Sequence, residues 1–220
     1  MKKTTIGIMT LTASIIGITC FLTINTNAEK ADTTEEKKIP TYSIQADYTV
    51  NVDNPNEVVG DSDYVFVGKV KSETGTTYKN KVPLEKEDGT VEYVGEAFTH
   101  YEVEVLSNLK NELVTNQVIP IDKQGGIRED GSAYDVFDDD QLPEAGKVYI
   151  FTAYTQDDGS LLVAGANSTI SFDEKTKNID SEKEVNKTEE VQLYEEAVDN
   201  QVMIDEDNLN SDFDASQEQQ

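Results

Sequence analysis

His100 is the only histidine of the 220-residue chain, and Cys20 is its only cysteine. An acyl-transfer triad needs histidine as its base and a nucleophile held on a special turn. His100 instead falls among the polar positions of an alternating stretch, Phe98 to Leu106, and the chain has no Gly-x-Ser-x-Gly. Zinc sites draw on several His or Cys ligands, which one histidine cannot supply. The acids give more scope. Asp135, Asp138, Asp139 and Asp140 fall in one loop, and Asp157-Asp158-Gly159 in another. Calcium takes roughly six to eight oxygen ligands from such groups, but the spacing lacks the glycine and terminal glutamate of an EF-hand loop. The expectation is a solvated acidic loop with, at most, weak calcium binding. Glycoside hydrolysis needs two facing carboxylates beside a walled cleft, and the chain has no tryptophan for such a wall. Leu142-Pro143-Glu144-Ala145-Gly146 reads as a turn. No catalytic, cofactor-binding or metal-ligating residue is therefore predicted, and the chain reads as a non-enzyme.

The formal charge is −26. A surface this anionic repels phosphate backbones and anionic lipid headgroups. Nucleic acid and anionic membrane surfaces are thereby excluded as partners, while solubility is favoured.

The N-terminus has the layout of a secretory signal: Lys2 and Lys3, an uncharged apolar run from Ile6 to Ile24, then Thr26-Asn27-Ala28. Cleavage is expected after Ala28, leaving a chain without cysteine or disulfide. A retained membrane anchor, or a lipid on Cys20, are the other readings of the same residues. Residues 29–41 read as a flexible spacer and 42–175 as one β domain. Within it, Tyr42 to Val52 alternates and reads as extended, and Asn54-Pro55 has the form of a helix N-cap followed by Pro. Tyr64 to Val70 is almost wholly apolar, which predicts a strand covered on both faces, with Gly68 as a bulge. Ser72 to Gly95 is an extended excursion turning at Asp88-Gly89. In the next strand Tyr101, Val103 and Val105 point one way and His100, Glu102 and Glu104 the other. Lys110-Asn111 is a turn. Gln117 to Asp122 is a strand that Pro120 restricts to an edge or bulge. Gln124 to Gln141 reads as a loop, Val148 to Tyr154 and Leu161 to Ala164 as strands, and Thr169 to Phe172 as the segment closing the sheet. Residues 176–203 form a helical segment. In it Val191, Tyr194, Val198 and Val202 make the apolar stripe of a helix over residues 187–202. Residues 204–220 read as a disordered acidic tail.

Short strands punctuated by turns predict a mainly β fold, a small barrel or sandwich. The order Asp63-Tyr64-Val65-Phe66-Val67-Gly68-Lys69-Val70, Tyr101-Glu102-Val103-Glu104-Val105, Leu109-Lys110-Asn111, Gln124-Gly125-Gly126, Leu142 to Phe151 and Asp158-Gly159 resembles bacterial secreted domains of the TIMP-like, or netrin-like, family. The resemblance covers Asp61 to Phe172. It implies an OB-type five-stranded barrel with a C-terminal amphipathic helix. The animal inhibitors of that family chelate a protease zinc through an N-terminal cysteine, and no residue here matches it. The expectation is a secreted or surface-retained binding or structural module for an extracellular protein or glycan. A secreted protease inhibitor and a carboxylate-based hydrolase are the alternatives.

Overall fold

A computed structural model describes residues 38–173, 182–203 and 212–215. The expected signal, most of the spacer, residues 176–181 and most of the tail lie outside them. Among the described residues no helix is long and apolar enough to cross a membrane.

The chain enters through β1 (Thr41–Ile44) and α1 (Pro55–Asp61). Tyr42 to Val52 does not form one long strand. β1 stops where its partner strand stops, and the chain turns so that the Tyr48 hydroxyl accepts the Ala166 N–H at 3.0 Å. Asn54 caps α1, its Oδ1 accepting the Asn56 N–H at 3.2 Å, with Pro55 in the first turn. No basic residue lies in the last turn of α1. A distant lysine supplies that charge: Lys110 Nζ donates to the carbonyls of Val59 at 2.7 Å and Ser62 at 2.6 Å. Burial pushes the Lys110 ammonium below its ordinary value, and Asp63 and Asp61 pull it part of the way back.

Two long strands follow, β2 (Tyr64–Glu85) and β3 (Val91–Lys110), then β4 (Val118–Gln124), β5 (Gly126–Ile127), β6 (Tyr134–Phe137), β7 (Val148–Thr155), β8 (Leu161–Val163) and β9 (Thr169–Ser171). β2, β3 and β4 form an antiparallel meander. β4 meets β8 in parallel, β8 meets β7 antiparallel, and β7 returns to β2. The result is a ring-like sheet of five strands in a mainly β chain. It is closed by the β7–β2 pairing, not by Thr169–Phe172. β9 lies along β7 at Tyr149, Ile150 and Phe151 instead.

The stretch Gln124 to Gln141 is not a plain loop. β5 and β6 join β1 in a second, three-stranded sheet in which β1 and β6 run parallel. Its sequence conceals this because each strand is only two to four residues long, too short for a period to register.

The near-continuous apolar runs of β2 and β7 have a direct cause. Tyr64, Phe66, Val70, Tyr149, Phe151 and Ala153 point into the ring with Tyr101, Val103, Ile119, Ile121 and Leu161. Val65, Val67 and Ile150 point outward and pack against α1, α2 (Glu182–Val185) and α3 (Glu189–Asp199) through Val59, Val185, Val191, Tyr194 and Ala197. Val198 packs partly there, whereas Val202 is 50% exposed, because α3 ends at Asp199 and Ala197 takes the inner position. Pro120 is exposed on the part of β4 that pairs with β3 alone, as an edge proline must be.

Gly68 sits at a register shift between β2 and β3. A Cβ there would collide with Val103 Cγ1 and press on the Phe151 and Phe66 rings at 3.2 Å. Gly68→Ala is expected to lower stability by about 1–3 kcal/mol through overpacking, read as a fall in the urea midpoint at unchanged slope.

Candidate functional site

β2 and β3 outrun the ring. They are 22 and 20 residues long, yet β7 covers β2 only at Tyr64–Lys69 and β4 covers β3 only at Thr99–Glu104. Beyond these limits the two strands continue as a ribbon to the turn at Asp88-Gly89. There Gly89 has φ +80° and Asp88 Oδ1 accepts the Thr90 N–H and hydroxyl. These bonds pull the Asp88 carboxyl below its usual range. Register shifts between Val70/Ser72, Glu73/Gly75 and Lys79/Val82 punctuate the ribbon, and each such bulge adds local twist.

The outer part of the ribbon shows its apolar side chains to water. Val82 is 61% exposed, Leu84 53%, Val91 57% and Tyr93 62%. Val82 pairs with Val94 and Leu84 with Glu92, while Pro83 pairs with Tyr93 and Glu85 with Val91. Cross-strand partners share a face, so both faces carry apolar groups. Beside the ribbon lies a groove of 560 Å³ whose walls include Leu84, Tyr93, Val94, Lys81 and Arg128. Arg128 holds Asp135 with two bonds, 2.8 Å from Nε and 2.7 Å from Nη2, and its guanidinium lies 4.7 Å from the Tyr42 ring. Tyr42 in turn lines a second cleft, of 570 Å³, with Tyr134, Phe137, Leu142, Asp138 and Gln141. Arg128, held by Asp135 and set against Tyr42, thus stands between the two clefts. Glu129 meets Lys81 at 2.9 Å, and Glu85, Glu87, Asp88 and Asp130 stand exposed around the outer part of the ribbon and its groove.

His100 stands where the ribbon leaves the ring. Its Nδ1 is 2.6 Å from Asp122 Oδ1 and its Nε2 3.0 Å from Thr77 Oγ1. Asp122 also receives Lys79 Nζ at 3.2 Å, and that ammonium lies 4.6 Å from the Phe98 ring centre. The connectivity is acid, imidazole, hydroxyl, on three neighbouring strands. Thr77 nevertheless lies in mid-strand opposite Phe98, not on the sharp turn that exposes a catalytic hydroxyl beside oxyanion donors. The group acts as a polar clasp between β2, β3 and β4. Asp122 and Thr77 escape sequence reading because only cross-strand register brings them to His100.

The acidic loop is dispersed. Asp135 is held by Arg128, and Asp138 Oδ1 accepts the Ser43 hydroxyl at 2.8 Å. Asp140 is fully buried on Lys123, which is also 0% exposed; Lys123 Nζ donates to Ser168 Oγ at 2.6 Å, and the Thr169 N–H donates to Asp140 Oδ1 at 3.0 Å. Burial pushes the Lys123 ammonium down, and Asp140 opposes that shift. Asp158 turns back on the Ser160 N–H and hydroxyl. No group of three or more His, Cys, Asp or Glu side chains able to hold a metal ion occurs among the described residues. Leu142 to Gly146 leads into β7 through a turn with Gly146 at φ +86°.

Lys123→Met leaves Asp140 buried without its cation, and a loss of roughly 3–5 kcal/mol is expected. The double change K123M/D140N removes the stranded charge and is expected to recover part of that loss, measured by urea denaturation of all three proteins. No known protein family matches the chain, and no curated protein is similar to it.

Proposed function

We propose that the protein is an exported, non-enzymatic binding module that grips another extracellular protein with the outer part of its β2–β3 ribbon. The observation that carries this reading is the outer ribbon itself: it is exposed, it carries apolar groups on both faces, and among the described residues no further strand pairs with either edge between Lys79 and Glu96. Exposed apolar surface and open strand edges are features that natural proteins otherwise suppress. Open edges also suit a partner strand, which gains main-chain bonds along the edge and places alternate side chains against the faces.

Charge points to the kind of partner. From Val70 to Phe98 the chain carries four lysines and six acids, so the ribbon is itself mildly acidic on a chain of −26. A second copy would bring a second anionic body to the ribbon. A neutral or basic protein meets no such repulsion, and the rim of Glu85, Glu87, Asp88, Glu129 and Asp130 favours a basic one. The ring supports an OB-type barrel as its fold, since a three-strand meander joined in parallel to the last strand and closed through the fourth is an order that a five-stranded Greek-key barrel can take. Inhibition of a secreted protease by the ribbon is a special case of the same reading, and would appear as survival of the protease's substrate in co-incubation.

A photo-crosslinking residue placed at Tyr93 or Leu84 in the producing cell tests the reading, with exposed Leu193 on α3 as the control site. One basic protein is expected to be captured from the ribbon positions and not from Leu193. Its yield should fall at least ~10-fold in the V82E/V94E variant and decline with added salt. Equal capture at all three sites, or capture indifferent to V82E/V94E, would sink the proposal.

A further inference from the structure

The described part of the expected acidic tail returns to the ring. Residues 212–215 cross the end of the ring where β2 begins and β3 runs out. Asp214 forms an antiparallel bridge with Leu113. The Val114 N–H donates to the Phe213 carbonyl at 3.1 Å, the Ala215 N–H to the Glu112 carbonyl at 2.8 Å, and the Asp212 N–H to the Gly159 carbonyl at 3.0 Å. The Phe213 ring packs against the cluster that fills the ring. Asp214 is buried, and its Oδ2 accepts the hydroxyl of Tyr64, the first residue of β2, at 2.8 Å.

Both walls of this seat are held by bonds that do not involve the tail. Asn108 clamps the Leu113 backbone, accepting its N–H at 3.1 Å and donating to its carbonyl at 2.8 Å, and the Asn116 N–H reaches the Val105 carbonyl at 2.8 Å. On the other side the Gly159 N–H donates to the Gln156 carbonyl at 2.9 Å, and the Gln156 N–H to the Ser160 carbonyl at 2.9 Å. The wall therefore offers a strand edge held by its own bonds, with an apolar seat for an aromatic ring and the Tyr64 hydroxyl aimed at a carboxylate beside it. These are the elements of recognition by strand addition. The described occupant is four residues long, and so short a strand contact is of the type that opens locally without global unfolding.

We propose that this end of the ring is a binding site for an extended peptide segment carrying an aromatic residue followed by a carboxylate, and that the chain's own Phe213-Asp214 is its tethered, releasable occupant. The tether supplies a local concentration on the order of millimolar. A partner's segment of the same pattern therefore gains the site only by displacing the tail. The site stands apart from the ribbon, which leaves from the other end of β2.

Hydrogen exchange on the full chain tests this. The Val114 amide reports the seat, and the Val70 amide, which donates to the Lys147 carbonyl, reports the ring. In the unaltered chain Val114 is expected to exchange at least ~100-fold faster than Val70, because the strap opens locally. Equal slow exchange would make the tail a permanent element and overturn the proposal, whatever any variant does. In the full-length F213A/D214A variant, with Val70 protection confirming the ring, Val114 protection should fall further. A synthetic peptide of residues 211–220 supplied at about 1 mM should then restore it at least ~10-fold. The same peptide with Phe and Asp replaced by Ala should restore nothing. Failure of the unaltered peptide, or equal rescue by the altered one, also overturns the proposal.

Discussion

Strand β2 has to satisfy three different neighbours along one length, and most of the molecule follows from how it does so. At its start, alternate residues face the ring interior and the helices, so neither face can be polar. A buried Val, Phe or Tyr on such a strand is worth roughly 1.5–3 kcal/mol each, while a single misplaced charge would cost more than one of them returns. After Val70 the same strand loses β7, and its side chains become polar or mixed. At its first residue, Tyr64 is both part of the interior and the donor that holds Asp214. The ring wall, the ribbon and the seat of the tail therefore share one strand. A change in its register by one residue would exchange inward for outward side chains throughout.

The buried Lys123–Asp140 pair fixes the second sheet to the ring. Lys123 comes from β4, Asp140 from the segment after β6, and Ser168 and Thr169 from the start of β9 and the residue before it. Burying two charges costs several kcal/mol per ion, and their attraction offsets this only when further bonds satisfy the remaining atoms. Here Ser168 and the Thr169 N–H do so, although the Thr169 hydroxyl itself has no hydrogen-bond partner among the described residues. Such a pair adds little stability over a well-packed apolar one. Its effect is on placement: the acid accepts only where the lysine reaches, which sets where the β6–β7 connection crosses the ring.

The sequence made visible what obeys a local period or a local turn rule. Tyr64–Val70, the alternation around Tyr101, Val103 and Val105, the Asn54-Pro55 cap and the Asp88-Gly89 turn all follow from short-range chemistry. What it hid depends on pairing between distant segments. β1 and β6 are residues 41–44 and 134–137, too short to announce themselves and parallel, so no turn links them. Asp140 looks like any surface acid until β4 is set beside it. Tail residues 212–215 read as solvated because their composition is polar, yet Phe213 packs on the ring's interior cluster, Asp214 accepts the Tyr64 hydroxyl and main-chain bonds join them to Glu112 and Val114. The exposed ribbon was legible as an extended excursion, but its apolar residues could equally have faced a core. Only the limits of the β7 and β4 pairings show that nothing among the described residues covers them.

Charge and shape then act together on the choice of partner. An anionic surface keeps copies of the chain apart over a Debye length of about 8 Å at physiological salt, so repulsion operates at the body and fades with distance from it. The ribbon carries a small excess of acids of its own, Glu85, Glu87, Asp88 and Glu92 against Lys86 in its outer part, while its apolar side chains stay exposed. An open edge on an uncharged body would be a liability for self-pairing. On this chain the acids of the ribbon itself oppose edge pairing with a copy, and under the proposed function they attract a partner of opposite charge. The acidity from which the sequence predicts no affinity for nucleic acid or anionic lipid is thus also a property that lets an exposed ribbon persist.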